Sequence, residues 1–98
     1  MIDFSSALRP SALYVVVQRG CAACEAAEPD LAAFASAHPG QIVLRLDASG
    51  PLPGRLGIRV RATPTYLWRT PDGEKIHEGS LTTKELEKFT SEPVEAEE

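Results

Sequence analysis

Two cysteines open a predicted helix immediately after a β-branched apolar run, and this junction restricts the possible folds more than any other part of the chain. Residues 13–18 are polar only at their end, which is typical of a strand buried on both faces. Arg19 and Gly20 break the run, and an alanine-rich segment begins at Cys21. Because alanine is the strongest helix former, the sequence predicts a strand, a tight break and a helix that starts at Cys21.

Three further strands follow this first strand and helix. Residues 41–47 alternate in part between apolar and polar side chains, residues 65–69 form a third apolar run, and residues 74–78 a fourth. Pro71-Asp72-Gly73 is a turn, and so short a connection makes the third and fourth strands antiparallel. The first two strands, which have a helix between them, are predicted to be parallel.

The helices have recognisable boundaries. Residues 82–90 are predicted to be helical because Thr82 and Glu85 have the spacing of a capping box. Pro29 lies inside the first helix and is expected to kink it, since proline lacks the N–H that the helix needs. Residues 48–57 are rich in Gly and Pro and hold at most one helical turn, around Arg55-Leu56, and a short helix is possible from Asp3 to Leu8.

The order β-α-β-turn-β-β-α indicates an α/β fold with a four-stranded mixed sheet flanked by helices. A chain of 98 residues has room for one domain, which we place at residues 1–91, with residues 92–98 as a disordered acidic tail. The net charge of −4 argues against nucleic acid as the partner. No apolar run is long enough to span a bilayer and no secretory signal is visible, so we expect a cytoplasmic monomer without a membrane partner.

The CxxC spacing gives the two cysteines different chemical roles. Cys21 lies at a helix N-terminus, where unpaired N–H groups and the helix dipole favour an anion, so we expect a lowered pKa and a stabilised thiolate. Cys24 faces the same side one turn deeper, from where it can attack a mixed disulfide on Cys21 and release the partner. Arg19 adds positive potential beside them. No metal is expected, because the chain has no second CxxC and no paired histidines.

Three further features, taken with the CxxC, resemble the thioredoxin family over residues 12–91. Pro29 follows the second cysteine by five residues, as does the proline in the family's active-site helix. Residues 57–65 resemble the segment that leads to the family's cis-proline, here Pro64. Gly79-Ser80-Leu81 is similar to the glycine turn that borders the family's substrate groove.

The resemblance implies a thioredoxin-like fold and a reductase of protein disulfides, with Cys21 as the attacking thiolate and Cys24 as the resolving thiol. It implies a cis Thr63–Pro64 bond beside the cysteines, with the Thr63 backbone free to pair with an extended substrate. The residues that it places against substrate are Gly20, Ala22, Ala23, Thr63, Pro64 and Gly79. No cofactor is implied, and electrons come from a separate reductase or from glutathione, since the chain has no nucleotide-binding glycine motif.

The sequence also departs from the family pattern. Gly20 stands where thioredoxins usually have a tryptophan, and Ala22-Ala23 replaces Gly-Pro between the cysteines. Val15 occupies the position of the family's buried aspartate, which removes that proton acceptor for Cys24. Few residues precede the first strand, so the chain resembles a minimal member of the family, closer in size to the glutaredoxins.

Two other functions remain open. One is a glutathione-linked, glutaredoxin-like activity, in which Arg59 and Arg61 meet a glutathione carboxylate. The other is a binding module that uses the groove around Cys21 without catalysis. The two arginines form either a solvated strand edge or a positive surface that favours acidic partners. Neither histidine is expected to act as a base: His38 ends a helix, and His77 is predicted to be a surface residue of a strand.

Overall fold

The computed structural model describes residues 11–92, and its element order confirms the predicted α/β arrangement. The strands are β1 (Ala12–Val17), β2 (Ile42–Asp47), β3 (Thr65–Thr70) and β4 (Gly73–Glu78), and the helices are α1 (Ala22–Ala37), α2 (Leu52–Arg55) and α3 (Thr83–Ser91). The predicted helix near the N-terminus and residues 93–98 of the predicted acidic tail lie outside the described residues.

The four strands form one mixed sheet in the order β2-β1-β3-β4. β1 and β2 are parallel, whereas β1 pairs with β3 and β3 with β4 in antiparallel register, as predicted. Val15 and Val16 point to opposite faces of β1 and are 1% and 0% exposed. The prediction of a strand buried on both faces is therefore confirmed.

Each face of the sheet has its own apolar core. The larger core lies under α1 and α3 and consists of Leu13, Val15, Leu31, Phe34, Tyr66, Trp68, Leu81 and Leu86. Leu31 and Phe34 lie three residues apart on α1, so both point to the same side of the helix. The smaller core contains Val16, Leu46, Ile58 and Leu67, and Leu56 and Val60 of the loop after α2 pack against it.

Prolines lie inside α1 and at the start of α2. α1 continues through Pro29 and ends at Ala37. α2 is a single turn that starts after Pro51 and lies earlier than the predicted position around Arg55-Leu56. The physical reason is that the first N–H groups of a helix have no partner inside it, so prolines at its start cost no hydrogen bond. None of the helices among residues 11–92 is long and apolar enough to cross a bilayer.

The start of α3 is fixed by two sets of hydrogen bonds. The predicted capping box is present, since Thr82 Oγ1 accepts from the Glu85 N–H at 3.2 Å and Glu85 Oε1 accepts from the Thr82 N–H at 2.9 Å. Asp30 of α1 adds a second link, because its Oδ1 accepts from the N–H of Thr83 at 2.9 Å and from its hydroxyl at 2.7 Å. These two bonds, chiefly the one from the hydroxyl, hold the pKa of Asp30 below its ordinary value. Asp30 thus joins the helix that carries the cysteines to α3.

Candidate functional site

The two cysteines lie where β1 ends and α1 begins, and their sulfurs are joined in a disulfide. Cys21 is the N-cap of α1, with φ −89° and ψ 106°, and its sulfur accepts a hydrogen bond from the Cys24 N–H at 3.1 Å. Cys24 is only 8% exposed, whereas Cys21 is partly open to solvent. An incoming disulfide therefore has better access to Cys21 than to Cys24.

The turn before Cys21 depends on a glycine. Gly20 has φ +76°, a left-handed conformation that residues with a side chain adopt only at a cost. The turn closes with a hydrogen bond of 3.2 Å from the Cys21 N–H to the Gln18 carbonyl. A tryptophan at this position, as in thioredoxins, would be strained in this turn.

Thr63 presents two polar groups to the sulfur of Cys21. Its hydroxyl donates a hydrogen bond to Cys21 Sγ at 3.2 Å, and its carbonyl oxygen lies 3.5 Å from the same sulfur. The Thr63–Pro64 peptide bond is cis, and Pro64 is buried. Only the backbone of Thr63 had been assigned a role from the sequence. The resemblance placed the Thr63–Pro64 bond beside the cysteines, but it gave no role to the hydroxyl of Thr63.

The turn after β4 completes the site. The Gly79 N–H donates to the Pro64 carbonyl at 2.8 Å, and the hydroxyl of Ser80 donates to the Ala23 carbonyl at 3.3 Å. Gly79 has φ +102°, again a conformation that favours glycine. Of the residues expected to meet substrate, Ala23, Thr63, Pro64 and Gly79 are thus joined around Cys21 by these contacts. Ala22 and Gly20 are exposed and make none of them.

Tyr66 supports this turn from inside the protein. Its hydroxyl is the acceptor for the Leu81 N–H at 3.3 Å, and its ring belongs to the larger core. Burial raises the pKa of Tyr66, and the Leu81 N–H opposes this rise. Tyr66 lies in the predicted third strand, and the strand pattern contains no signal for this contact.

Several charged residues surround the site. Arg19 is exposed beside Asp47, which accepts hydrogen bonds from the backbone and the hydroxyl of Ser49 at 2.9 and 2.8 Å. The Ser49 backbone bond is the main cause of a lowered pKa at Asp47, with a smaller contribution from the charge of Arg19. Asp47 therefore caps the turn after β2. Arg59 and Arg61 lie in the loop before Thr63.

The two histidines and Val15 contact other parts of the fold. His38 is exposed and pairs with Glu87 at 3.1 Å. His77 is half-buried between the rings of Tyr66 and Phe89, at centroid distances of 6.3 and 6.1 Å, so the prediction of a surface residue is wrong. His77 shares one side of β4 with Lys75, and both contact Phe89 of α3, which explains its position. Val15 is buried in the larger core, and within residues 11–92 no three metal-ligating side chains come together.

Several solved structures with the same architecture are thioredoxins. Thioredoxin f from spinach chloroplast is 24% identical, with 84% of this chain and 75% of that chain covered and a TM-score of 0.68. Thioredoxin from Fasciola hepatica is 19% identical, with coverages of 83% and 79% and a TM-score of 0.68. The germline-specific thioredoxin Deadhead from Drosophila melanogaster is 17% identical, with coverages of 90% and 85% and a TM-score of 0.71.

No family model matches the sequence, and no curated protein matches it either. At these identities the structural likeness establishes the fold. The chain therefore has the thioredoxin fold, with a Cys21–Cys24 disulfide at the start of α1, an arrangement consistent with a thioredoxin-family protein.

Proposed function

We propose that the protein is a thiol–disulfide oxidoreductase that reduces protein disulfides, with Cys21 as nucleophile and Cys24 as resolving thiol. The observation that carries the proposal is the set of donors on one accessible sulfur. Cys21 Sγ accepts from the Cys24 N–H at 3.1 Å and from the Thr63 hydroxyl at 3.2 Å, at the N-terminus of a helix. Hydrogen bonds to a charged acceptor and a helix dipole both stabilise a thiolate.

The first step forms a mixed disulfide. In the reduced protein the Cys21 thiolate attacks one sulfur of a substrate disulfide, a bond forms between the two sulfurs, and the other substrate sulfur leaves as a thiolate. Cys21 carries this step because it is the more accessible of the two cysteines. The departing thiolate takes up a proton from solvent.

The second step releases the substrate. Cys24 loses its proton and attacks Cys21 Sγ, which forms the intramolecular disulfide and expels the second substrate thiolate. Two electrons thereby pass from the cysteine pair to the substrate. The Cys21–Cys24 disulfide of the structure corresponds to this product state. Val15 supplies no carboxylate for the proton of Cys24, so the leaving thiolate or water is the proton acceptor in this proposal.

The remaining parts of the proposal concern partners and setting. The protein needs an electron donor, for which we propose a separate reductase or glutathione. We expect disulfide-containing proteins as substrates, a monomeric chain and a cytoplasmic setting. The residues proposed to contact substrate are those grouped around Cys21, above all Thr63, Pro64 and Gly79.

Trapping the mixed disulfide tests the proposal. Cys24→Ser removes the resolving thiol, so Cys21 should remain bonded to a disulfide substrate and add its mass in non-reducing mass spectrometry. The matched variant Cys21→Ser should trap nothing, because Cys24 is buried. Adducts of equal yield on both single variants would contradict the assigned roles. If wild-type protein reduces no disulfide while substrates still bind both variants, the protein is a binding module.

A further inference from the structure

A groove between the loop that precedes Thr63 and β4 combines positive charge with one exposed apolar side chain. It has a volume of about 630 Å³ and is lined by Arg59 and Arg61 from the loop before Thr63 and by Ile76 and Glu78 of β4. Ile76 is 50% exposed, one of the three large apolar side chains so exposed in the described part of the chain. An apolar side chain at the base of a charged groove is a feature of peptide-binding surfaces.

The charge of this groove is positive. Arg61 binds Glu78 through its Nε at 3.1 Å, and its side chain remains 73% exposed. Guanidinium has five N–H donors, so this single bond leaves the terminal N–H groups open to another carboxylate. Arg59 is exposed and forms no ion pair within residues 11–92. The groove is therefore lined by two guanidinium groups and one carboxylate.

The groove is connected to the redox site through the backbone. Arg61 precedes Thr63 by two residues, which limits their Cα atoms to a separation of about 7 Å. On the other wall, Glu78 precedes Gly79, whose N–H binds the Pro64 carbonyl at 2.8 Å. An extended peptide advances about 3.3 Å per residue. A peptide whose cysteine meets Cys21 therefore brings residues about two to four positions away to the groove.

We propose that this groove selects disulfide substrates that carry acidic side chains two to four residues from the attacked cysteine. The acidic side chain binds the open N–H groups of Arg61 and Arg59, and a neighbouring apolar side chain lies on Ile76. This inference rests on the proposed reductase activity, because it names the substrate class of the same site.

Two peptides that differ only in charge provide the test. Each peptide has one internal disulfide and a leucine near it. At the second to fourth positions outward from both cysteines, one peptide has Glu and the other has Gln. Turnover is measured with dithiothreitol as electron donor, with the uncatalysed rate subtracted. In about 20 mM salt we expect KM for the Glu peptide to be lower by about fivefold to tenfold at similar kcat, a difference that about 500 mM salt removes.

The matched variants locate the effect. Arg59→Gln with Arg61→Gln should abolish the preference for the Glu peptide and leave reduction of a small neutral disulfide unchanged. The control, Arg45→Gln with Lys88→Gln, changes the net charge equally at sites outside the groove and should retain the preference.

Equal KM values for the two peptides in the wild type, or a preference that survives in the double groove variant, would overturn the inference. A loss of activity in the double groove variant that is confined to glutathione disulfide as substrate would also overturn the inference. If wild-type protein reduces neither the peptides nor the small disulfide, the reductase proposal itself fails.

Discussion

The hydroxyl of Thr63 donates a hydrogen bond to Cys21 Sγ at 3.2 Å, across 42 residues of sequence. This contact joins the loop before Pro64 to the N-terminus of α1, so a residue far away in the chain acts directly on the sulfur proposed to be the nucleophile. Thr63 therefore contacts Cys21 through its side chain, in addition to the backbone role proposed for it toward substrate.

Removal of that hydroxyl should make the Cys21 thiolate less stable. Thr63→Val preserves the shape of the side chain and removes the donor, so we expect the pH midpoint for alkylation of reduced Cys21 to rise by about 0.5 to 1 pH unit. Thr63→Ser, which retains the hydroxyl, should stay close to the wild type. The measurement is the rate of iodoacetamide reaction against pH in protein with Cys24→Ser. Identical midpoints for the valine and serine variants would rule out a role for the hydroxyl.

Asp30 should make the stability depend on pH in the acid range. Hydrogen bonds from the Thr83 hydroxyl and N–H lower its pKa from the ordinary 3.8, so the charged carboxylate stabilises the fold. That stabilisation is complete above pH 3.8 and is lost as the pH falls through the lower value of the folded state. Asp30→Asn should therefore be less stable than the wild type near neutral pH, and the two should converge in acid.

Urea denaturation at a series of pH values measures this difference. Asp72→Asn is the matched control, since Asp72 lies exposed in the turn between β3 and β4 and its side chain accepts none of the described hydrogen bonds. A gap between Asp30→Asn and wild type that stays constant from neutral pH down to acid would show that the charge of Asp30 does not stabilise the fold.

Tyr66 is expected to stabilise the turn that borders the site. Tyr66→Phe removes the acceptor for the Leu81 N–H while retaining the buried ring. An unpaired buried N–H costs about 1 to 3 kcal/mol, so the free energy of unfolding should fall by that amount. Denaturant unfolding gives this value, and hydrogen exchange at Leu81 should become faster. Unchanged protection at Leu81 would mean that the hydroxyl is not its partner.

Gly20 should be costly to replace for a conformational reason. A Cβ at Gly20 would meet no atom of residues 11–92 within 4 Å, so the left-handed φ is the expected source of the penalty. Gly20→Ala should lower the free energy of unfolding by about 1 to 2 kcal/mol. Gly40→Ala is the control, because Gly40 has equal space and no positive φ. A similar loss in both variants would show that the turn accepts a side chain at Gly20.

Local sequence patterns were sufficient to predict most of the fold. Three features are determined by residues close together in the sequence. They are the β-branched run at β1, the alanine-rich α1 and the capping box of Thr82 and Glu85. The single turn α2 covers Leu52–Arg55 and so begins a few residues before the predicted position around Arg55-Leu56, since prolines are favourable at a helix start.

The contacts that build the site could be predicted only in part. The spacing of Cys21 and Cys24 is local, so their place at the start of α1 was predictable. The bonds from Thr63 to Cys21, from Asp30 to Thr83 and from Tyr66 to Leu81 join distant segments, and single side chains carry no pattern that reveals such pairs. His77 was misplaced for the same reason, because its half-buried position depends on α3 packing against β4.

The redox equilibrium of the Cys21–Cys24 pair tests the central claim most directly. The protein is equilibrated with dithiothreitol or glutathione buffers of graded potential, its free thiols are alkylated, and the mass shift gives the oxidised fraction. We expect a reversible two-electron transition between a dithiol and an intramolecular disulfide, without a lasting glutathione adduct on Cys21. A cysteine pair that forms no intramolecular disulfide at any potential would contradict it.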